Sequence, residues 1–555
     1  MINPVDWKPA DGMMLELNAE KAIREIGNNI AVIAGPGAGK TELLAQKADF
    51  LLRTGLCPYP RRILAVSFKI DAAKNLKDRV RLRCGAQLAA RFDSFTFHAF
   101  AKQLVDNYRI ALCEPLNSDY SIGPGKSSPP ASITFDDLVS LSIELLEENY
   151  YTCSGLQQTY SHVFLDEFQD ATEAQYSLVK EAFEDSESVL TAVADSKQRI
   201  MAWAGAMDRI LQTYTDDFSA EALTLFQNYR SAPKLRRMQN RMIQLMEPES
   251  AIDPTDIQGE EGLIEVLHFS NANAEAACLA ERISTWLKRG VSPSQIAVLV
   301  RQQSELFAGA LTDSLSSKGI ASRNEQKRQD LTAEPVVTLV LDFLRVIACQ
   351  SQPSAYERLM RIALLGVLSD EASDRRSSQI QHFLAEQRCY VRSASFEPSD
   401  ILSWERIIDK FLELITEPVL VGLSTTYQQG LRMRELLKET TESLQEELTV
   451  DGNICNALDR LSEINAVRIL TIHKAKGLEF EKVIILGVEN ESFWMKKKSD
   501  IDELRRVFFV GISRAKHELL LTYTDLRPKP NAFQGLWKDH RTPQKEFLSY
   551  ANQSI

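Results

Sequence analysis

The chain of 555 residues lacks the marks of several classes of protein. No window approaches the run of about 18 apolar residues that a membrane span needs. The opening MINPVDWKPADG has neither the basic start nor the apolar stretch of a secretory signal, so a cytoplasmic protein with no membrane contact is expected. The eight cysteines, Cys57, Cys84, Cys113, Cys153, Cys278, Cys349, Cys389 and Cys455, stand singly, without the CxxC or CxH pair that seeds a zinc or iron–sulfur site. Reduced core thiols are expected. Nor is positive charge in excess: 64 basic against 76 acidic residues give −12, which argues against coating nucleic acid by bulk charge but leaves room for a basic groove on an acidic body. No repeat of fixed period is visible. What is present, 44% hydrophobic and 25% charged residues, is ordinary globular composition. At roughly 150 residues per domain the length suffices for three to four folding units.

Short β-branched apolar runs recur along the chain: Asn29 to Ile33, Ile63 to Phe68, His162 to Leu165, Val189 to Val193, Ile296 to Val300, Val467 to Ile472, Val483 to Leu486 and Leu519 to Tyr523. Most are followed by polar or helical sequence, which predicts parallel sheets in α/β domains. Two stretches break the alternation. Lys102 to Gln158 reads as helices around a Pro-, Gly- and Ser-rich loop, and Ser351 to about Ser462 is again helical, with acidic runs such as KETTESLQEEL. Both have the character of helical insertions in α/β cores.

The segment AGPGAGKT, comprising Ala34, Gly35, Pro36, Gly37, Ala38, Gly39, Lys40 and Thr41, follows one such strand and opens a helix. Glycines there let backbone N–H groups approach phosphates, Lys40 reaches the β- and γ-phosphates, and Thr41 meets Mg²⁺, at a helix end that favours anions. Further on, LDEFQD delivers Asp166 and Glu167 at the carboxyl end of a strand, where open parallel sheets bind ligands. Alone, two adjacent acids fit a solvated loop; after a phosphate loop, Asp166 reads as the Mg²⁺ ligand and Glu167 as the base that orients or deprotonates water.

From Leu17 to Tyr523 the chain resembles the UvrD/Rep/PcrA-like helicases of superfamily 1. The resemblance rests on AGPGAGKT, ILAVSFKIDAAKNLKDRV, TFHAF, ITFDDL, LDEFQDATEAQ, VADSKQRIMAWAGA, LFQNYRS, IAVLVR, VRILTIHKAKGLEF and ELRRVFFVGISRAK, in that order. It implies an α/β fold of two RecA-like P-loop NTPase domains, each interrupted by a mainly helical insertion. The first domain would comprise 1–103 plus 162–250 with an insertion at 104–161, and the second 259–350 plus 462–555 with a reduced insertion at 351–461. It also implies that Gln198 senses the γ-phosphate, that Arg230 and Arg514 are arginine fingers, that Tyr229 stacks on adenine and that Glu479 binds ribose. Phe68, Thr96, Phe97, His98, Trp203, Thr471 and His473 would line a single-strand track, where an aromatic stacked on a base contributes about 1–3 kcal/mol irrespective of sequence. Read without the family, Arg230 and Arg514 are surface arginines, Tyr229, Phe97 and Trp203 core aromatics, and His98 and His473 structural histidines. An ATP- and Mg²⁺-dependent helicase or translocase on single-stranded or tailed duplex DNA, moving 3′ to 5′, is the expectation.

Some positions depart from the family pattern. Lys21 stands where an adenine-reading glutamine is usual, and lysine cannot offer the acceptor-plus-donor edge that pairs with adenine. Met201 replaces a tyrosine and Ala204 an arginine. Both insertions are short, as in compact members such as the helicase subunit of Gabija-type anti-phage defence systems, which works with a separate nuclease subunit. A DNA-gated NTPase with such a partner is therefore the alternative. Basic runs occur at Arg79, Arg81 and Arg83, at Arg236 and Arg237, and at Lys496 to Lys498; each fits a solvated face, and the last fits an extra phosphate or partner contact.

Overall fold

The computed structural model describes residues 1–552 other than 69, 118–119, 123–130, 201–204, 325–330, 333, 365–369, 425–426, 428–430, 463–465, 495–500 and 531–536. These residues form an α/β fold built on two parallel six-stranded sheets. The first runs in the order Phe92–Thr96, Arg62–Ser67, Tyr160–Asp166, Val189–Ala194, Ile30–Ala34, Glu221–Leu225. The second runs Ser322–Asn324, Val467–Thr471, Ile296–Val300, Phe480–Ile485, Ala515–Leu526, Leu263–Asn271. Central strands such as IAVIA and IAVLV are apolar almost throughout because helices cover both faces of a parallel sheet.

Both sheets lie in one compact unit, Met1–Phe97, Cys153–Lys327 and Asn465–Ile555. On the first sheet Leu43, Leu44, Ala48 and Leu51 of helix Lys40–Thr54 pack with Ile30, Val32 and Phe164. Helix Pro233–Met246 sends Leu235, Met238 and Met242 into the core of the second sheet, beside Leu299, Leu470 and Phe508. The parallel strands thus end in loops, and those loops carry the candidate site.

The other unit, His98–Thr152 with Arg328–Ile464, gathers helical segments from both interruptions. Helix Phe135–Glu148 begins in a capping box of Thr134 and Asp137, two residues that satisfy each other's end of the helix. A separate core forms around Phe343 and Phe411, whose rings stack at 3.9 Å. In this unit Cys349 and Cys455 form a disulfide, and in the molecule as a whole Cys113, Cys278 and Cys389 are exposed. The expectation of eight reduced core thiols is therefore corrected: Cys57 and Cys84 are the buried free thiols and Cys153 is intermediate. Helix packing brings together two cysteines 106 residues apart, which their spacing in sequence could not indicate. Among the described residues no helix is long and apolar enough to cross a membrane.

Candidate functional site

The phosphate loop leaves strand Ile30–Ala34 and enters helix Lys40–Thr54 through two left-handed glycines, Gly37 at φ 75° and Gly39 at φ 82°. An L side chain rarely adopts that region. At Gly37 space is a second constraint: a Cβ would collide with Asn228 Oδ1 and lie 2.7 Å from Arg230 Cβ. Tyr229, on the same segment, donates its backbone N–H to Gly37 O at 2.9 Å, and the residue is 58% exposed. Here stands an aromatic platform tied directly to the loop.

Lys40, the first residue of the helix, is buried, with Nζ 4.0 Å from Glu167 Oε1 and 3.9 Å from Asp195 Oδ2. Asp166 ends strand Tyr160–Asp166, and Glu167 follows in the left-handed region at φ 51°, a strained conformation for a residue with a side chain. Burial, then the charge of Glu167, pushes the Asp166 pKa up. Burial opposes ionisation of Glu167 too, but Lys40, Lys476 and the Gln169 amide, which donates to Glu167 Oε2 at 2.5 Å, outweigh it and hold its pKa low. Adjacent carboxyls therefore part in character, one drawn towards the neutral form and one held anionic.

Gln198 lies in the turn Ser196–Gln198 after strand Val189–Ala194. Its Nε2 donates to Asp195 Oδ2 at 2.7 Å, and its Oε1 accepts from Arg514 Nη2 at 2.6 Å. Arg514 is buried and also donates to Val510 O, Leu478 O and Ser513 Oγ. Burial, then the neighbouring Arg230 charge, lowers its pKa. Arg230 donates from Nε to Glu479 Oε2 at 2.8 Å, and Lys516 Nζ holds the other oxygen of Glu479 at 2.9 Å. Loops from both sheets thereby meet in one connected set: Lys40, Asp166, Glu167, Gln198, Arg230, Glu479 and Arg514.

Three further residues joined to this set carry no role in the motif reading. Asp170 and Lys476 form a buried ion pair at 2.6 and 2.7 Å, and Lys476 also donates to Gln198 O at 2.6 Å. Asp195 accepts from Gln198 and faces Lys40. The signal for Asp170 and Lys476 was their place inside LDEFQD and HKAKGLEF; their partnership has no sequence signal.

For a divalent cation the hydroxyl of Thr41 and the carboxylate of Asp166 are hard oxygen donors, the kind that Mg²⁺ prefers while keeping several waters. Among the described residues no group of three or more His, Cys, Asp or Glu could hold a metal by itself. This donor set suits an ion shared with phosphates.

The expected single-strand track is only partly assembled. Phe68 and Thr96 are half-buried at the ends of adjacent strands, and Thr471 closes strand Val467–Thr471 two residues before the half-buried His473. Phe97 is 2% exposed, which corrects its reading as a base-stacking residue: its ring face is committed to the interior. His98 belongs to the helical unit, where its ring meets Phe135 edge-on at 5.5 Å and burial lowers its pKa. Trp203, Met201, Ala204 and Lys496 to Lys498 lie outside the described residues. Lys21 is paired with Glu221 on an edge strand, Arg79 and Arg83 share the Glu42 carboxylate, and Arg83 also meets Asp11.

Family models match about four fifths of the chain. The UvrD/REP helicase N-terminal domain covers residues 15–122 and 126–219, and the UvrD-like helicase C-terminal domain covers 223–392 and 451–525. Among known proteins the chain is similar to DNA helicase II of Escherichia coli, 25% identical over 91% of this chain and 84% of that one. It is similar also to the ATP-dependent DNA helicase PcrA of Bacillus subtilis, 23% identical over 92% and 82%, and to the ATP-dependent DNA helicase Rep of Buchnera aphidicola, 23% identical over 93% and 94%.

Proposed function

Because the chain belongs to the UvrD-like helicase family, we propose that it is an ATP-dependent DNA motor that hydrolyses nucleotide among the loops between its two sheets and moves 3′ to 5′ on single strands. The observation that carries this reading is the unbroken chain of contacts from Lys40, which also faces Glu167, through Asp195 and Gln198 to Arg514. Backbone N–H groups of Gly35, Gly37 and Gly39 and the Lys40 ammonium bind the phosphates, while Tyr229 offers its ring to the base and Glu479 its carboxylate to the sugar. When bound at Thr41 and Asp166, Mg²⁺ would neutralise charge on the transferred phosphoryl group.

Glu167, held anionic, orients the attacking water as hydrogen-bond acceptor; its low pKa makes it a better orienter than proton store. Turning Arg230 and Arg514 fully onto the γ-phosphate would exchange present partners, Glu479 for one and Gln198 for the other. Hydrolysis is thereby tied to rearrangement of loops from the second sheet. An arginine finger contributes about 10³- to 10⁵-fold in rate, so this exchange gates turnover.

The test is steady-state phosphate release from ATP with and without single-stranded DNA, beside Glu167→Gln, followed by strand release from 3′- and 5′-tailed duplexes. Strand-stimulated release absent in Glu167→Gln, with unwinding of the 3′-tailed duplex, is expected. Unchanged turnover in Glu167→Gln would sink the assigned residue. Stimulated hydrolysis without strand release would move the protein to the alternative, a DNA-gated NTPase in a complex with a nuclease.

A further inference from the structure

A cavity of about 50 Å³ opens beside the phosphate loop, lined by Gly35 and Pro36 but by none of Gly39, Lys40, Thr41, Asp166 and Glu167. Strand ends at Ile33 and Thr224 form one wall and helix Pro233–Met246 another. At about 10–15 Å³ per water it has room for roughly four waters, the scale of one tetrahedral oxyanion.

Its charged lining is of one sign, Lys197 and Arg236, with no carboxylate among the lining residues. The amides beside them are spent within the wall. Asn240 exchanges two hydrogen bonds with the Ile252 backbone, at 2.8 and 3.0 Å, while Gln239 accepts from Asn228 at 3.0 Å and donates to Ser231 Oγ at 3.2 Å. Such a wall is stiff, and it leaves the cations as the adaptable groups.

Lys197 is buried at 3% exposure and makes one long hydrogen bond, 3.3 Å to Glu247 Oε2, with Asp195 Oδ1 at 3.8 Å. The Arg236 side chain makes no hydrogen bond or ion pair among the described residues, and its Nε is shut off from water without an acceptor. A shielded donor is ordinarily matched by protein, water or ligand. Arg236 also sits in the first turn of its helix, where the helix dipole disfavours a cation unless an anion lies near. Lys197, held from behind by Glu247 and Asp195, and Arg236, unpaired and placed against the dipole, thus flank a space the size of an oxyanion.

We propose that this cavity is an oxyanion site whose ligand is inorganic phosphate, held by Arg236 and Lys197. Lys197 adjoins Gln198 in the same turn, so the site lies one residue from the group assigned to sense the γ-phosphate. That phosphate is the product of the protein's own hydrolysis rests on the proposed function; that the cavity binds phosphate does not.

The experiment uses the full-length protein saturated with ADP and Mg²⁺, so that the phosphate loop is filled. Inorganic phosphate is titrated against chloride at constant ionic strength, following melting temperature and the ³¹P line width of free phosphate. Saturable binding is expected, weakened at least about tenfold in Arg236→Gln, the loss of a charge-assisted contact, and unchanged in Arg81→Gln. Lys197→Gln, reporting from the opposite wall, should weaken it as well. Absence of saturable binding, binding seen only without ADP, or equal affinity in wild type and both cavity variants would overturn the proposal. None of these results depends on ATP turnover, so failure here is distinct from failure of the helicase reading.

Discussion

The Asp170–Lys476 pair joins a loop of the first sheet to a loop of the second, and its removal makes a quantitative test. At 2.6 to 2.7 Å, with an effective dielectric of about 20, the two charges attract by about 6 kcal/mol. Both are almost fully buried, and withdrawing each from water costs several kcal/mol, so the intact pair contributes little net stability. Breaking one side is different. Lys476→Met leaves the Asp170 carboxylate without its cation and deprives Gln198 O of a donor, at a cost of about 3–5 kcal/mol. Asp170→Asn leaves a buried ammonium and costs a similar amount. The double variant removes both charges, and because the intact pair contributes little net stability its loss should not exceed either single loss, falling short of their sum by about 3–5 kcal/mol. Thermal melts at fixed pH and salt supply the assay: each single variant should melt several degrees below wild type, roughly 5–10 °C, and the double variant no lower than either single one. Strictly additive losses would mean that the pair is not a functional contact between the two loops, and the account of their linkage through Lys476 would fall.

Two further predictions rest on single groups. Gly37→Ala should reduce ATP turnover severely, because it meets both a left-handed φ and a collision with Asn228, whereas Gly39→Ala, with open space around it, carries only the conformational cost; equal damage in the two would refute the spatial part. Lys47 is wholly buried, donates to Ala22 O and Glu25 O at 2.7 and 2.8 Å, and is drawn by burial from 10.5 down to about 7. Between that value and the unfolded lysine's, the unfolded chain binds the extra proton, so stability should rise with pH across that window, by up to about 1.4 kcal/mol per unit, relative to Lys47→Met. Parallel pH profiles of wild type and variant would contradict it.

How far the fold could be read from sequence depended on where each strand lies in its sheet. The run Ile296 to Val300 matches its strand residue for residue, and the other apolar runs fall on interior strands with shifted ends. Within the two six-stranded sheets, four strands carry no such run: Phe92–Thr96, Glu221–Leu225, Leu263–Asn271 and Ser322–Asn324. These are the outer strands of the two sheets. An outer strand has one neighbour and thinner cover, so its residues need not be apolar, and FDSFT or LIEVLHFSN shows partial burial where IAVLV is buried throughout. The signal of a parallel strand comes from being enclosed.

The same logic separates what was legible in the site from what was not. AGPGAGKT and LDEFQD declare themselves because their chemistry requires particular residue types at fixed local spacing, a constraint written within eight residues. Asp170 and Lys476 stand inside such motifs, but their partnership spans 306 residues of chain and nothing local announces it. Phe97 shows the converse, an aromatic in a recognised motif that the fold spends on its interior. Partnership also bears on mechanism. Lys40 faces Glu167 and Asp195, Arg230 holds Glu479, and Arg514 holds Gln198, so each cation assigned to the phosphates already has a protein partner. On the proposed reading, nucleotide binding replaces these contacts rather than adding to an empty site, and only the difference between the two sets is free to shift the loops. A motor needs such near-balance: a nucleotide bound far more tightly than the internal contacts would hold the cleft in one state, and one bound more weakly would not displace them.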